Sequence, residues 1–296
     1  MSRTRILVVG GESQIGAALS VALCRLNYDV ITTTRRESCV SKKTLSLDLA
    51  QDVDEWKAPE EISVCFLLAA MGQHQCEQHP RLARLVNVQN TIRIARRLAE
   101  NGSKIVFPST NLVFDCTRPD QSANGPYRPL SHYGALKAEA EQELLTLGRS
   151  TTVVRLAKVI TPALPVIAAW LKNLASGRSI RAFRDLHIAP VSLRYVVELF
   201  VLILRNDASG IFQISGEEEI SYCKLAGALA EAIRAPTALV ECVNSNEVGV
   251  RLVAAPKHPS LDASRTQSEL GLAPQPLADL LSDFIATKPA VVDVRQ

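Results

Sequence analysis

Short unbroken apolar runs alternate along this chain with longer stretches in which apolar residues return every three or four positions. Residues 5–11 (RILVVGG) form such a run and stop at glycine; residues 14–26 follow with Ile15, Leu19, Ala22, Leu23 and Leu26 on one helical face. Further β-branched or apolar runs at 29–36, 43–49, 62–70, 104–110 and 151–159 predict five more strands. A helix carrying Asn87, Val88, Ile92, Ala95 and Leu98 lies between two of them and is expected to end at Asn101-Gly102, a C-cap pair. The Ala-, Leu- and Glu-rich stretch 131–145 predicts another helix, reached through a polar loop at 115–130. Strands alternating with helices at this rhythm mean an α/β fold with a doubly wound parallel sheet.

Beyond Lys158 the rhythm loosens. Pro162, Pro165 and Pro190 punctuate it around a helix at 167–175, a turn at Gly177 and a short strand at 179–183. A helix at 193–204 and a strand at 210–215 look like a return to the sheet, and an amphipathic helix follows at 221–234. The expected division is a dinucleotide-binding domain over 1–157, rejoined by 191–216. A smaller substrate-binding lobe takes 158–190 and 217–296, ending in a mobile tail at 288–296.

Composition narrows the function classes. The formal charge of +3, from 33 basic and 30 acidic residues, gives no electrostatic footprint for nucleic acid. The longest apolar runs, 63–71 and 196–204, fall short of the roughly 20 residues that a membrane-spanning helix needs. The chain enters a strand almost at once, with no signal peptide expected. Seven cysteines occur without a C-x-x-C pair, which predicts reduced thiols and a cytoplasmic protein.

The first candidate chemistry lies between the first strand and first helix. Gly10 permits a tight turn, Gly16 permits close helix–strand packing, and the helix N-terminus offers free N–H groups to a pyrophosphate. Ser13 stands where the Rossmann fingerprint usually has its middle glycine, with Gly11 as a substitute source of freedom and Gln14 and Ile15 in the first helical turn. The bland alternative is a plain strand–helix turn. At the end of the second strand an acidic residue would bind the ribose of NAD, but this chain has Thr34, Arg35 and Arg36. Two guanidiniums suit a 2′-phosphate, so NADP(H) is favoured and NAD(H) remains possible; the competing view is a solvated surface pair. Asp48, followed by Leu49, is placed to meet the adenine or to cap its own loop.

The second candidate is Tyr133 with Lys137, one helical turn apart on one face. A neighbouring ammonium would lower the phenol pKa toward working pH, letting the Tyr exchange a proton with a carbonyl oxygen. Ser109 and Thr110 close the fifth predicted strand and supply hydroxyls.

Together these segments resemble the extended short-chain dehydrogenase/reductases, most of all the dTDP-4-dehydrorhamnose reductase branch. The matching pieces are GGESQIG (10–16), LLAA (67–70), VNVQNT (86–91), FPSTNLVFD (107–115), PLSHYGALKAEAE (129–141), GIFQISGEEEIS (210–221) and LDASRTQSELGL (261–272). The resemblance implies that Thr110 orients the substrate carbonyl, Tyr133 is the acid, and Lys137 holds the nicotinamide ribose while tuning the phenol. It also implies that Ala69, Ala70 and Asn87 line the cofactor groove. Asn111 replaces an acidic residue common in the relatives; it cannot titrate, so dehydration chemistry is disfavoured.

The expected activity is hydride transfer to a keto group, on a 4-keto sugar nucleotide. The alternatives are a sugar-nucleotide epimerase and a non-catalytic dinucleotide-binding subunit; a homodimer is possible. His74, Cys76 and His79 could suggest zinc, but three ligands within six residues strain tetrahedral geometry, so no metal is expected and the stretch reads as a polar loop. Lys158, Lys172, Arg178, Arg181, Arg184 and His187 are candidates for contact with an anionic substrate.

Overall fold

The structure is a computed structural model that describes residues 4–250 and 255–286. The first apolar run becomes β1 (Arg5–Val9), followed by α1 (Gln14–Arg25), β2 (Asp29–Thr34), β3 (Thr44–Ser46) and β4 (Val64–Leu67). Two short helices, α2 (Gln73–Gln78) and α3 (Pro80–Arg84), lead through a π-helical turn (Leu85–Asn90) into α4 (Thr91–Glu100). Next come β5 (Lys104–Thr110), α5 (His132–Leu145) and β6 (Thr151–Leu156). The sixth predicted strand is therefore shorter than expected: it ends at Leu156, and β7 (Val159–Ile160) is a separate strand. The expected cap of α4 is present, with Gly102 at φ +84° donating its N–H to Ala99.

The remaining elements are α6 (Pro165–Ala175), β8 (Ile180–Phe183), β9 (His187–Ile188), β10 (Val191–Ser192), α7 (Leu193–Arg205) and β11 (Gly210–Ile214). They are followed by β12 (Ile220–Ser221), α8 (Tyr222–Ala232), β13 (Val240–Val243), α9 (Ser264–Leu270) and α10 (Leu277–Ala286). The expected tail at 288–296 lies outside the described residues.

Seven strands form one parallel sheet in the order β3-β2-β1-β4-β5-β6-β11. This is the doubly wound Rossmann arrangement, in which the chain reverses direction between β1 and β4. Side-chain alternation splits β1 between two cores: Leu7 and Val9 join Ile92, Leu98, Leu136 and Leu144 on the face covered by α4 and α5, whereas Ile6 and Val8 join Leu19, Leu23, Leu199 and Phe200 under α1 and α7. Being buried on both faces, the strands read as continuous apolar runs. Residues 193–214 do return to this sheet, with α7 on its second face and β11 beside β6.

A third core gathers Ile167, Trp170 and Leu174 of α6 with Ile180 of β8, Leu225 and Leu229 of α8, and Leu280 and Phe284 of α10. This smaller body overhangs the carboxyl ends of the strands. It also corrects the expectation of seven reduced thiols: Cys223 and Cys242 form a disulfide. The packing of α8 against β13 brings together two cysteines 19 residues apart, a proximity that no local motif announces.

One buried ion pair was not anticipated. Arg155 of β6 and Glu141 of α5 are 1% and 0% exposed and meet at 2.7 Å. Arg155 also donates to the Ala123 carbonyl (2.9 Å), Gln213 Oε1 (3.2 Å) and the Tyr127 hydroxyl (3.1 Å), and Tyr127 donates to Glu141 (2.9 Å). The pair satisfies every partner it would otherwise strand, as a buried charge requires. It pins α5 and the polar loop 115–130 to the sheet.

Candidate active site

A cleft runs along the carboxyl ends of the strands at the β1/β4 reversal, where ligands bind in open α/β sheets. Its outer part, about 420 Å³, is lined by Gly10, Glu12, Ser13, Thr34, Arg35, Asp48, Leu49, Ala69 and Ala70 among others. Its inner part, about 550 Å³, is lined by Ser13, Gln14, Ile15, Ala70, Ser109, Thr110, Asn111, Tyr133, Lys137, Lys158 and His187 among others. Ser13, Leu68 and Ala70 line both parts, which makes the cleft continuous.

The glycine turn has a steric cause. A Cβ on Gly10, at φ +87°, would stand 2.6 Å from the Ala69 backbone nitrogen, and one on Gly16 would stand 2.3 Å from the Gly10 carbonyl oxygen. Gly11 packs on Thr32, where a Cβ would come within 2.6 Å of the Thr32 Cβ. Ser13 is not a defect in the motif. As N-cap of α1, its Oγ accepts from the Gly16 N–H (3.0 Å) and donates to the Gly10 carbonyl (2.8 Å), closing the turn on itself. The first-turn N–H groups of Gln14 and Ile15 have no intrahelical partner by geometry, and both residues line the cleft.

At the outer end the two arginines part company. Arg35 lines the cleft, whereas Arg36 folds onto Glu12 with its Nε 2.6 Å from the carboxylate. The Arg36 guanidinium holds the Glu12 carboxyl below the usual carboxylate range. Glu12, which the sequence did not single out, thus lines the cleft and takes up one of the two arginines expected to meet a 2′-phosphate. Asp48 lines the cleft and also caps the Ala50 N–H at 2.9 Å.

At the inner end Thr110, Tyr133 and Lys137 line one cavity. Gly134 explains how the helix comes so close: a Cβ there would lie 2.1 Å from the Leu112 carbonyl oxygen. Thr110 Oγ1 accepts from the Leu112 N–H (3.2 Å) and donates to Asn111 Oδ1 (3.3 Å). Asn111 in turn donates to the Pro259 carbonyl at 2.9 Å. Ser109 Oγ is buried in the cleft wall without a partner among the described residues.

The electrostatics differ from expectation. Burial pushes the Tyr133 phenol up to about 12, with the neighbouring Cys76 thiol adding to the rise. Lys137 does not offset it, because its ammonium donates to the Pro108 carbonyl (2.7 Å) and lies 4.2 Å over the Phe107 ring. Burial lowers Lys137 itself to about 8. Helical spacing put the two residues on one face, but a backbone oxygen and an aromatic ring outcompete the phenol for the ammonium. The phenol is consequently held in its neutral form, the form that donates a proton.

Other expectations also shift. Asn87 is buried and does not line the cleft; its Oδ1 accepts from the Met71 N–H (2.7 Å), and its Nδ2 donates to the Met71 carbonyl (3.0 Å) and the Cys76 sulfur (3.3 Å). It shapes the turn after β4 rather than the groove. That places Cys76 in the core, away from a polar loop, and among the described residues no group of three or more His, Cys, Asp or Glu is disposed to hold a metal. Arg181 pairs with Glu241 and Arg184 with the Cys242 carbonyl, so neither lines the cleft; Lys158 and His187 do. Glu219 holds the segment bearing Pro256 and Pro259 through Ser260 (2.7 Å) and His258 (3.0 Å). No helix among the described residues is long and apolar enough to cross a membrane.

Residues 4–289 match the family model described as the RmlD substrate binding domain. The methionine adenosyltransferase 2 subunit beta of Xenopus tropicalis is 24% identical over 209 residues, which cover 64% of this chain and 60% of that protein. The chain thus spans about 60% of the length of that relative. A dTDP-4-dehydrorhamnose reductase of Aggregatibacter actinomycetemcomitans is 23% identical over 289 residues, covering 91% of this chain and 94% of that one. Among solved structures, the dTDP-4-dehydrorhamnose reductase of Bacillus anthracis in complex with NADP superposes with a TM-score of 0.82 at 18% identity, covering 97% of this chain and 99% of that one. This protein belongs to the RmlD family of the extended short-chain dehydrogenase/reductases.

Proposed function

We propose that this chain is an NADP(H)-dependent reductase of a keto group, carried on a 4-keto sugar nucleotide, with Tyr133 as general acid. The observation that carries the reading is the continuity of the cleft. The glycine turn and Arg35 lie at one end, Thr110, Tyr133 and Lys137 at the other, and Ser13, Leu68 and Ala70 line both parts.

The residues present fit such a cofactor. Gly10 and Gly16 let the chain close the tight strand–helix turn, the Gln14 and Ile15 N–H groups suit a pyrophosphate, and the unpartnered Ser109 hydroxyl lies in the wall of the inner cleft. Bound there, the cofactor supplies the hydride. Tyr133, neutral because burial raises its pKa, donates its proton to the carbonyl oxygen as negative charge builds there. Thr110 Oγ1 turns its proton from Asn111 Oδ1 to that oxygen and fixes its direction. Lys137 would hold a ribose hydroxyl of the cofactor and would repay the proton that Tyr133 gives up. Asn111 cannot act as acid or base and instead holds Pro259, which supports reduction over dehydration. Within this reading, 1–157 with 191–216 carries the cofactor, and the smaller lobe carries substrate specificity.

Tyr133→Phe tests the assignment. Removing a general acid costs about 10²- to 10⁴-fold in kcat, while NADPH affinity, read by fluorescence titration, stays unchanged. Wild-type turnover in that variant would overturn the role. The similarity to methionine adenosyltransferase 2 subunit beta favours one second reading, a regulatory subunit on the same fold. An NADPH-oxidation screen against keto-sugar nucleotides and simple ketones, run beside NADH, separates the two: the subunit reading requires no turnover with any of them.

A further inference from the structure

Lys158 follows the carboxyl end of β6, where Leu156 pairs with Thr110 in the sheet register. Its backbone is fixed there, because its carbonyl accepts from the Val191 N–H at 2.9 Å. Lys158 lines the same inner cleft as Thr110 and Tyr133, together with Leu186, His187 and Tyr222 of the smaller body. It meets solvent through the cleft, yet the surrounding protein pushes its pKa below that of an ordinary lysine.

Its isolation sets it apart. Among the described residues the Lys158 ammonium has no hydrogen-bond or ion-pair partner, and no Asp or Glu lines the inner cleft. The other lysine among the described residues that line it, Lys137, is committed to the Pro108 carbonyl and the Phe107 ring. Of the smaller body's candidate arginines, Arg181 is tied to Glu241 and Arg184 to the Cys242 carbonyl, outside the cleft. An ammonium that lines a cleft without a counter-charge is left free to pair with an anionic group brought in by a ligand.

We propose that Lys158 grips an oxyanion of the substrate, holding it in the inner cleft beside the keto group that Tyr133 protonates. The inference rests on the reductase reading and specifies what the substrate must carry: a phosphate or carboxylate close to the reacting carbon. A nucleoside diphosphate and a sugar acid share that chemistry.

The test is calorimetric titration of the full chain, loaded with NADP⁺, with dTDP and separately with D-glucuronate. Binding of either probe is expected to weaken about 10-fold or more in Lys158→Met and to stay within about 3-fold of wild type in Lys158→Arg, because a charge-assisted hydrogen bond is lost in one and kept in the other. NADPH affinity is expected to be equal in all three proteins. Whichever probe binds names the source of the oxyanion. The proposal is overturned if wild type binds neither probe, if Lys158→Met binds as tightly as wild type, or if that variant loses NADPH affinity in parallel. None of these readouts involves turnover, so they can fail while the role of Tyr133 stands, and the reverse.

Discussion

Between α5 and β6, behind the helix that carries Tyr133, Glu141 and Arg155 pair with side chains 0% and 1% exposed, while at the outer end of the cleft Glu12 and Arg36 pair with side chains 35% and 67% exposed. The residue types are the same and the physics is opposite. Inside, neither charge has water to fall back on, so the pair persists only because Tyr127, Gln213 and the Ala123 carbonyl complete its shell. Outside, either partner can exchange the other for solvent or for a ligand at small cost. The inner end is therefore built to hold α5 and its Tyr133 still, whereas the outer end can rearrange around whatever nucleotide enters.

The largest effect should come from breaking the inner pair. Glu141→Ala leaves Arg155 buried and unpaired, with an expected loss of about 3–5 kcal/mol in denaturant unfolding. The double replacement Glu141→Leu with Arg155→Met should cost much less, because no orphan charge remains; an equal loss would mean that shape rather than charge sets the penalty.

A smaller effect tests how closely α5 must approach. Gly134→Ala forces a Cβ against the Leu112 carbonyl oxygen at 2.1 Å. Overpacking of this kind costs about 1–3 kcal/mol, and the displaced helix should lower kcat more than it raises the KM for NADPH. Unchanged kcat would show that Tyr133 tolerates movement, against the rigid view of this end.

The smallest effect belongs to the outer pair. Glu12→Gln should leave the melting temperature within error and release Arg36 toward the cleft, raising the affinity for 2′,5′-ADP about 3- to 10-fold over 5′-ADP in calorimetry. No change in that ratio would separate Arg36 from phosphate recognition and leave Arg35 as the remaining candidate.

Much of the framework follows from short-range pattern. Strands buried on both faces leave continuous apolar runs, and the turn after β1 needs glycine because Ala69 and the Gly10 carbonyl crowd it. The i, i+4 spacing of Tyr133 and Lys137 survives because α5 is a regular helix. Thr110, Tyr133, Lys137 and the glycine turn were accordingly found along one cleft, as the sequence led one to expect.

What chain order alone could not supply were the partners. Lys137 turns to Pro108, 29 residues away; Asn111 reaches Pro259, 148 residues away; Arg155 finds Glu141 and Gln213 from different elements. Asn87 goes to a turn rather than the groove, Arg36 to Glu12, and Cys223 to Cys242. Periodicity is a property of neighbouring residues and can be seen in the chain itself. A group's protonation, its counter-charge and its access to a ligand depend on the field and packing of whatever the fold places within a few ångströms, and that is decided only when distant segments come together.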